Sequence, residues 1–264
     1  MSGVASGPPN GPAGKPANGP AGAPASGPAN APASAPTAHG LDPDAFVERL
    51  RAEGAPRYHD HHPFNVRMHD GRLSRDELQR WVANRFYYQT RIPIKDAIIL
   101  SKSEDPAFRR SWAHRLTDHD GASEGEGGLA EWLALARAVG LDPEEVRSCR
   151  RVLPGVRFSC DAYVDLVRSR TLVEAVASSL TEHFAPSIMR TRIAAWEKHY
   201  PWVDGSSLEY FRHRVPRAAR DAEEAVAFVT RHARTVAQQD ACARALVDKC
   251  TILWSMLDAI AEAR

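Results

Sequence analysis

The segment RYHDHHPFNVRMHDG, residues 57–71, holds four histidines, His59, His61, His62 and His69, within eleven positions. That density suits metal ligation, proton transfer, or a polar entry to a helix. A metal site on helices wants His and carboxylate ligands three or four residues apart on facing segments. His59 and His62 have the spacing, but Pro63 disfavours helical backbone at His62. Neither ExxH nor HExxH occurs, since Glu182 is followed directly by His183. The residues therefore predict no metal centre, and His61 and His62 read as entry residues for a short helix ahead of Gly71.

A second set of reactive groups is cationic. Projected at about 100° per residue, one segment presents Leu78, Trp81, Arg85, Gln89 and Ile92 on a single face. Another presents Phe108, Trp112, Arg115 and His119, and a third Cys242, Ala245, Lys249, Leu253, Met256 and Ile260. One such interruption reads as a snorkelling side chain; three on separate helices point to cations directed inward. An unpaired buried charge costs several kcal/mol. Matching carboxylates look scarce, with Glu182 the best candidate, so a small ligand rich in carboxylates would supply the missing charge. Tyr210 and Arg214 share a helix face, as a surface pair would also do. Glu182 equally suits a capped or solvated carboxylate, and Arg192 on its own reads as a surface charge.

These groups need helices to hold them, and the chain supplies start signals. Asp42-Pro43, Asp105-Pro106 and Asp142-Pro143 combine a cap with a following proline. Ser74 with Glu77 and Thr171 with Glu174 have capping-box spacing. DHDGASEGEGG reads as a flexible connection, and two long periodic segments, about 217–238 and 240–263, close the chain. No alternating β-branched run appears. The fold class is all-α, a compact multi-helix bundle of about seven to nine helices.

Residues 1–39 repeat GPAN/APAS-like units with one lysine. Such a tail buries too little apolar surface to offset its ordering entropy, which predicts disorder, with the folded domain at 40–264. The 264 residues carry a formal charge of +1, giving no long-range attraction for nucleic acid or an anionic membrane. No apolar run approaches the roughly 20 residues that span a bilayer, and the N-terminus has no charged region leading into an apolar one. Cys149, Cys160, Cys242 and Cys250 form no CxxC pair and read as small core residues in a reducing cytoplasm. No GxSxG, P-loop or GxGxxG fingerprint is present.

HHPF, WVANRFYYQTRIPIKDA, DHDG, VLPGVRF, DAY, SSLTEHFAP, HYPW, YFRHR and ILWSMLDA, in this order from Leu41 onward, closely resemble the pyrroloquinoline-quinone synthase family. The resemblance implies a haem-oxygenase-like, TENA-like bundle and a homodimer. It implies ring closure and oxidation of a small polycarboxylate precursor by O2, yielding pyrroloquinoline quinone (PQQ) and H2O2 with no metal or organic cofactor. Carried over by motif, Tyr58, His59, Arg85, Gln89, Lys95, Arg115, Tyr163, Glu182 and Arg192 would bind substrate. His119, Tyr210, Arg214 and Lys249 would surround the reacting ring and the oxygen. His59 then becomes a pocket residue, and His61, His62 and His69 bystanders. One departure stands out: the family commonly has FAPxIH, and here the last position is Met189. A proton-transfer or oxygen-stabilising partner is missing there, and His183 cannot replace it, because consecutive helical residues diverge by about 100°.

On that reading His119 is the general base, with Tyr210, Arg214 and Lys249 stabilising negative charge on the ring and on reduced oxygen. The helix dipole favours a cationic His119 and Arg115 opposes it; the sequence does not choose. The rivals are a di-iron oxygenase, a non-enzymatic quinone carrier and a thiaminase-like hydrolase. The first lacks ExxH and the last a well-placed cysteine.

Overall fold

The structure, a computed structural model, describes residues 38–263. The residues read as a disordered tail lie outside it, apart from Ala38 and His39. Those two pair with the start of the last helix, through a bridge between His39 and Thr235 and a 3.2 Å bond from Val236 N–H to Ala38 O. Gln239 clamps the next residues, accepting from Leu41 N–H at 2.8 Å and donating to Leu41 O at 2.9 Å.

The first helices are α1 (Pro43–Gly54), α2 (Pro63–His69), α3 (Arg75–Ser101), α4 (Pro106–Asp120), α5 (Gly127–Ala138) and α6 (Pro143–Ser148). Then come α7 (Pro154–Ser169), α8 (Leu172–Ser178), α9 (Ala185–His199), α10 (Glu209–His232) and α11 (Val236–Ala261). Eight of these, all but α2, α6 and α8, have 12 residues or more. That agrees with the all-α expectation, although the eleven described α-helices outnumber the seven to nine expected. The expected caps form: Asp42 accepts from Asp44 and Ala45 N–H, and both capping boxes close.

Two boundaries differ from the sequence expectation. α10 starts at Glu209 and runs through Pro216, because Tyr210, Phe211 and Arg214 before the proline and Ala218, Asp221 and Ala222 after it are all buried. Packing on both sides outweighs the loss of one backbone donor. α11 starts at Val236, where Thr235 and Gln238 make a third capping box.

α3 packs against α4, α5 and α7, α11 against α7 and α8, and α10 against α9. Where α3, α5, α9 and α10 meet, Trp81, Trp132, Trp196 and Phe211 form the centre of the core. Ring centroids lie 5.4 Å apart for Trp81–Trp132 and 5.7 Å for Trp196–Phe211. Each such ring buries about 150–250 Å², enough to hold the four helices rigidly around the polar cluster beside them.

The glycine-rich connection after α4 folds back on itself. Gly121 and Gly127 have φ of 84° and 80°, and a Cβ on Gly127 would overlap Gly121 N and lie 2.7 Å from His119 O. This close approach fixes the end of the helix that carries His119. Gly127→Ala should therefore lower stability by about 2 kcal/mol or more, from strain plus overlap. Gly125→Ala, at φ 86° with nothing within 4 Å, should cost only about 1 kcal/mol. Equal thermal melts for the two variants would overturn the reading of a closed loop.

Candidate active site

All three interrupted stripes point inward: Arg85, Gln89, Arg115, His119 and Lys249 are buried, Lys249 completely. Arg192, Tyr210 and Arg214 are buried too. Arg192, which alone reads as a surface charge, is inward because α9 places it against the aromatic core, 5.0 Å above the Trp81 ring. The Tyr210–Arg214 pair is likewise an interior pair.

The cations divide into two groups. The first is satisfied by the chain's own acids, which are more plentiful than the sequence suggests. Lys95 Nζ lies 2.7 Å from Asp96 Oδ1 and donates to Ser179 Oγ at 3.0 Å. Arg115 Nη1 meets Glu224 Oε2 at 2.9 Å, and its Nη2 donates to Asp221 O at 2.7 Å. Arg214 pairs with Glu182 and lies 3.4 Å from Asp221 Oδ2. Asp221, buried amid Arg115, Arg214, Arg220 and His114, has its carboxyl held well below the usual range. It follows Arg214 by seven residues on the same face of α10, a spacing that could have revealed it.

The second group has no carboxylate partner among the described residues. Arg85 stacks 4.2 Å over the Tyr88 ring and reaches only Met256 Sδ. Lys249 Nζ donates to Tyr88 Oη at 2.9 Å and sits 3.3 Å over the Tyr163 ring. Arg192 Nη2 donates to Asn65 Oδ1 at 3.2 Å, while its Nε, though buried, has no partner. Burial and the neighbouring Arg85 push Arg192 down to about 9 and Lys249 well below its ordinary value. The three groups thus repel one another in a low-dielectric space, which an anion would relieve.

Arg85 lines one narrow cavity of about 30 Å³, and Arg192 and Lys249 lie behind its wall. Its wall includes Tyr58, His59, Arg85, Glu182, Tyr210 and Arg214 from the sequence-predicted set, with Tyr88, Thr181, Met189 and Leu253 in addition. Gln89, Lys95, Arg115, His119, Tyr163, Arg192 and Lys249 are not on this wall. Lys249 and Arg192 stand directly behind Tyr88 and Met189, and Gln89 behind Tyr210. Tyr88 and Thr181 went unnoticed in the sequence, although each adjoins a residue singled out there.

Two buried polar atoms of the stripes, on Gln89 and His119, have no hydrogen-bond partner among the described residues. Gln89 Oε1 accepts from Tyr210 Oη at 2.7 Å, leaving its buried Nε2 without a partner. His119 Nδ1 lies 3.1 Å from Arg115 O. A carbonyl only accepts, so Nδ1 carries the proton and the buried, unpartnered Nε2 keeps its lone pair. Burial, and after it Arg214, lowers His119 to about 3. The contest between dipole and Arg115 is therefore decided by desolvation, in favour of the neutral ring.

The other histidines of the opening segment have local roles. His62 accepts from Phe64 N–H as the cap of α2 and lies 2.9 Å from Asp258, and His61 is exposed. His69 has a buried, unpartnered Nε2. His114, Asp221 and Glu224 are close enough together to suggest a cation site. However, guanidiniums of Arg115 and Arg220 already occupy those carboxylates. Burial raises the thiols of Cys160 and Cys242 to about 12 and Cys250 to about 11, far from nucleophilic thiolates. A larger surface hollow between α3 and α6 holds Arg80, Glu145 and Arg151; Arg151 and Glu145 pair at 2.7 Å, and Arg80 donates to Ala263 O.

The bundle has the haem-oxygenase-like fold. The chain belongs to the TENA/THI-4/PQQC family, whose model matches residues 48–259. It is 51% identical over 223 residues to a pyrroloquinoline-quinone synthase of Pseudomonas putida (strain W619), covering 84% of this chain and 88% of that protein. It is 50% identical over 226 residues to the protein of the same name from Pseudomonas syringae pv. syringae (strain B728a), covering 86% and 90%. In structure it is similar to a haem-oxygenase-like domain of unknown function from Shewanella denitrificans, with TM-score 0.69 at 15% identity over 84% of this chain and 93% of that one. A TenA homolog from Pseudomonas syringae pv. tomato gives TM-score 0.66 at 14% identity, covering 83% and 93%.

The lowered proton affinity of His59, His119 and Lys249 has a measurable consequence. Burial and neighbouring cations lower all three. A ligand's carboxylates would raise them again, so the complex binds more protons than the free protein. Affinity for PQQ should then fall as pH rises, with net proton uptake near neutral pH. Calorimetry in buffers of different ionisation enthalpy checks this, and an apparent enthalpy independent of buffer would contradict it.

Proposed function

We propose that this protein is a pyrroloquinoline-quinone synthase, an oxidase that closes and oxidises a small polycarboxylate precursor with O2, releasing PQQ and H2O2. The observation that supports it most is the surplus of buried positive charge, Arg85, Arg192 and Lys249, around one cavity. A guest with several carboxylates turns that costly arrangement into a binding site. Arg85 and Lys249 orient the guest against Tyr88, while Glu182 and Asp221 hold Arg214 in place beside it.

His119 takes a proton from the substrate. Its neutral ring, with a free Nε2 inside a dry interior, suits a general base. The empty cavity does not reach His119, so the substrate must extend it towards α4. The proton gained there is stabilised by Arg115 O at Nδ1. Arg214 and Lys249 lie ready to balance negative charge developing on the ring and on reduced oxygen. Tyr210 already donates its hydroxyl proton to Gln89, so it serves first to orient the amide, whose free Nε2–H₂ is the group left to donate. An electron-rich, deprotonated substrate can itself reduce oxygen, and the reading therefore calls for no metal or organic cofactor. Met189 offers no proton on the wall it lines, which leaves His119 as the principal base. The family resemblance extends the proposal to a homodimer, and the cysteine pattern to a reducing cytoplasm; among the described residues no helix is long and apolar enough to cross a membrane.

Incubation with precursor under O2 should give the absorbance of PQQ together with peroxide, and a carrier would give neither. His119→Ala should slow conversion by roughly 100-fold or more, the usual worth of a general base, with PQQ affinity within about threefold. Unchanged single-turnover rates would remove His119 from the mechanism.

A further inference from the structure

We infer that Asn65 is a positioning residue that makes His59 a hydrogen-bond donor towards the ligand cavity. Asn65 lies in α2 and is buried, with its amide between α2, the short 3₁₀ turn at His59–His61 and α9. Its orientation is set by its partners. Arg192 Nη2, which can only donate, lies 3.2 Å from Oδ1. His59 O, which can only accept, lies 2.7 Å from Nδ2. The amide therefore cannot be turned round.

Nδ2 also lies 2.9 Å from His59 Nδ1. An amide nitrogen has two hydrogens and no acceptor lone pair, so one hydrogen meets His59 O and the other meets Nδ1. His59 Nδ1 must then be unprotonated, and the neutral ring carries its hydrogen on Nε2. Burial, reinforced by Arg85 and Arg192, keeps the ring neutral in the empty site. Among the described residues Nδ1 finds its partner in Asn65, and no protein group bonds Nε2. His59 lines the cavity, so its free Nε2–H joins the groups that can donate to a ligand.

The same amide holds Arg192 through Oδ1. One uncharged side chain thereby ties an uncompensated guanidinium and an imidazole tautomer into a single donor array. A carboxylate at this position would neutralise Arg192 and draw the imidazole proton to Nδ1. Asparagine is the side chain of this size that offers an acceptor to the arginine and a donor to the histidine. What the array receives rests on the functional reading above, that a polycarboxylate occupies the cavity; the tautomer does not.

Histidine nitrogen NMR on the ligand-free protein should show His59 unprotonated at Nδ1 and protonated at Nε2. In Asn65→Asp the proton should move to Nδ1. Asn65→Leu, near-isosteric and without polar atoms, should weaken PQQ binding and raise KM for precursor by roughly tenfold, the worth of one hydrogen bond to a charged group. Its kcat should stay within about twofold, since His119 is untouched. A proton on Nδ1 in the unsubstituted protein overturns the inference even if neither variant folds. So does an Asn65→Leu protein that binds PQQ as tightly as the parent. The expected tautomer in a parent protein that fails to bind PQQ would leave Asn65 as assigned and sink the polycarboxylate reading instead.

Discussion

Buried positive charge that the chain does not neutralise governs this structure. Arg85, Arg192 and Lys249 are withdrawn from water and have aromatic rings, a methionine sulfur, a hydroxyl and an amide for company, and burial with the nearby Arg85 lowers the proton affinity of Arg192 and Lys249. Cation–π contacts recover part of the desolvation cost, about 2 kcal/mol each at best. The remainder has to be met by the rest of the fold, and the Trp81–Trp132–Trp196–Phe211 core supplies the rigidity to keep those groups from relaxing outward.

Selective neutralisation gives the site its shape. Asp96, Asp221, Glu182 and Glu224 match Lys95, Arg115 and Arg214, which offsets the cost of burying those cations and fixes their positions. The unmatched three then define where anionic groups belong. Proton affinities follow the same division: Asp221 is held ionised, whereas His119, His59 and Lys249 are pushed towards their neutral forms. A base, a set of donors and an anion cavity thus arise from one charge distribution rather than from separate devices.

Neutral partners refine what charge alone leaves loose. The Tyr210 hydroxyl turns the Gln89 amide, the Arg115 carbonyl selects the His119 tautomer, and the closed glycine loop keeps the end of α4 in place. The first joins residues 121 positions apart, the second residues one helical turn apart, and the third the two ends of a short loop.

The sequence by itself determined the all-α class, the capped starts of the helices and the inward direction of Arg85, Gln89, Arg115, His119 and Lys249. Period and capping are local properties, readable over a few turns. The family motifs added Tyr58, His59, Glu182, Tyr210 and Arg214, all on the cavity wall. The continuation of α10 through Pro216 and the supply of internal acids were not legible, and only the family motif turned Arg192 inward, because each depends on what another helix packs against the residue. Only the tertiary structure decided which cations are matched and which are left for a guest, since that division is made across helices by approaches of about 3 Å that no spacing along one chain encodes.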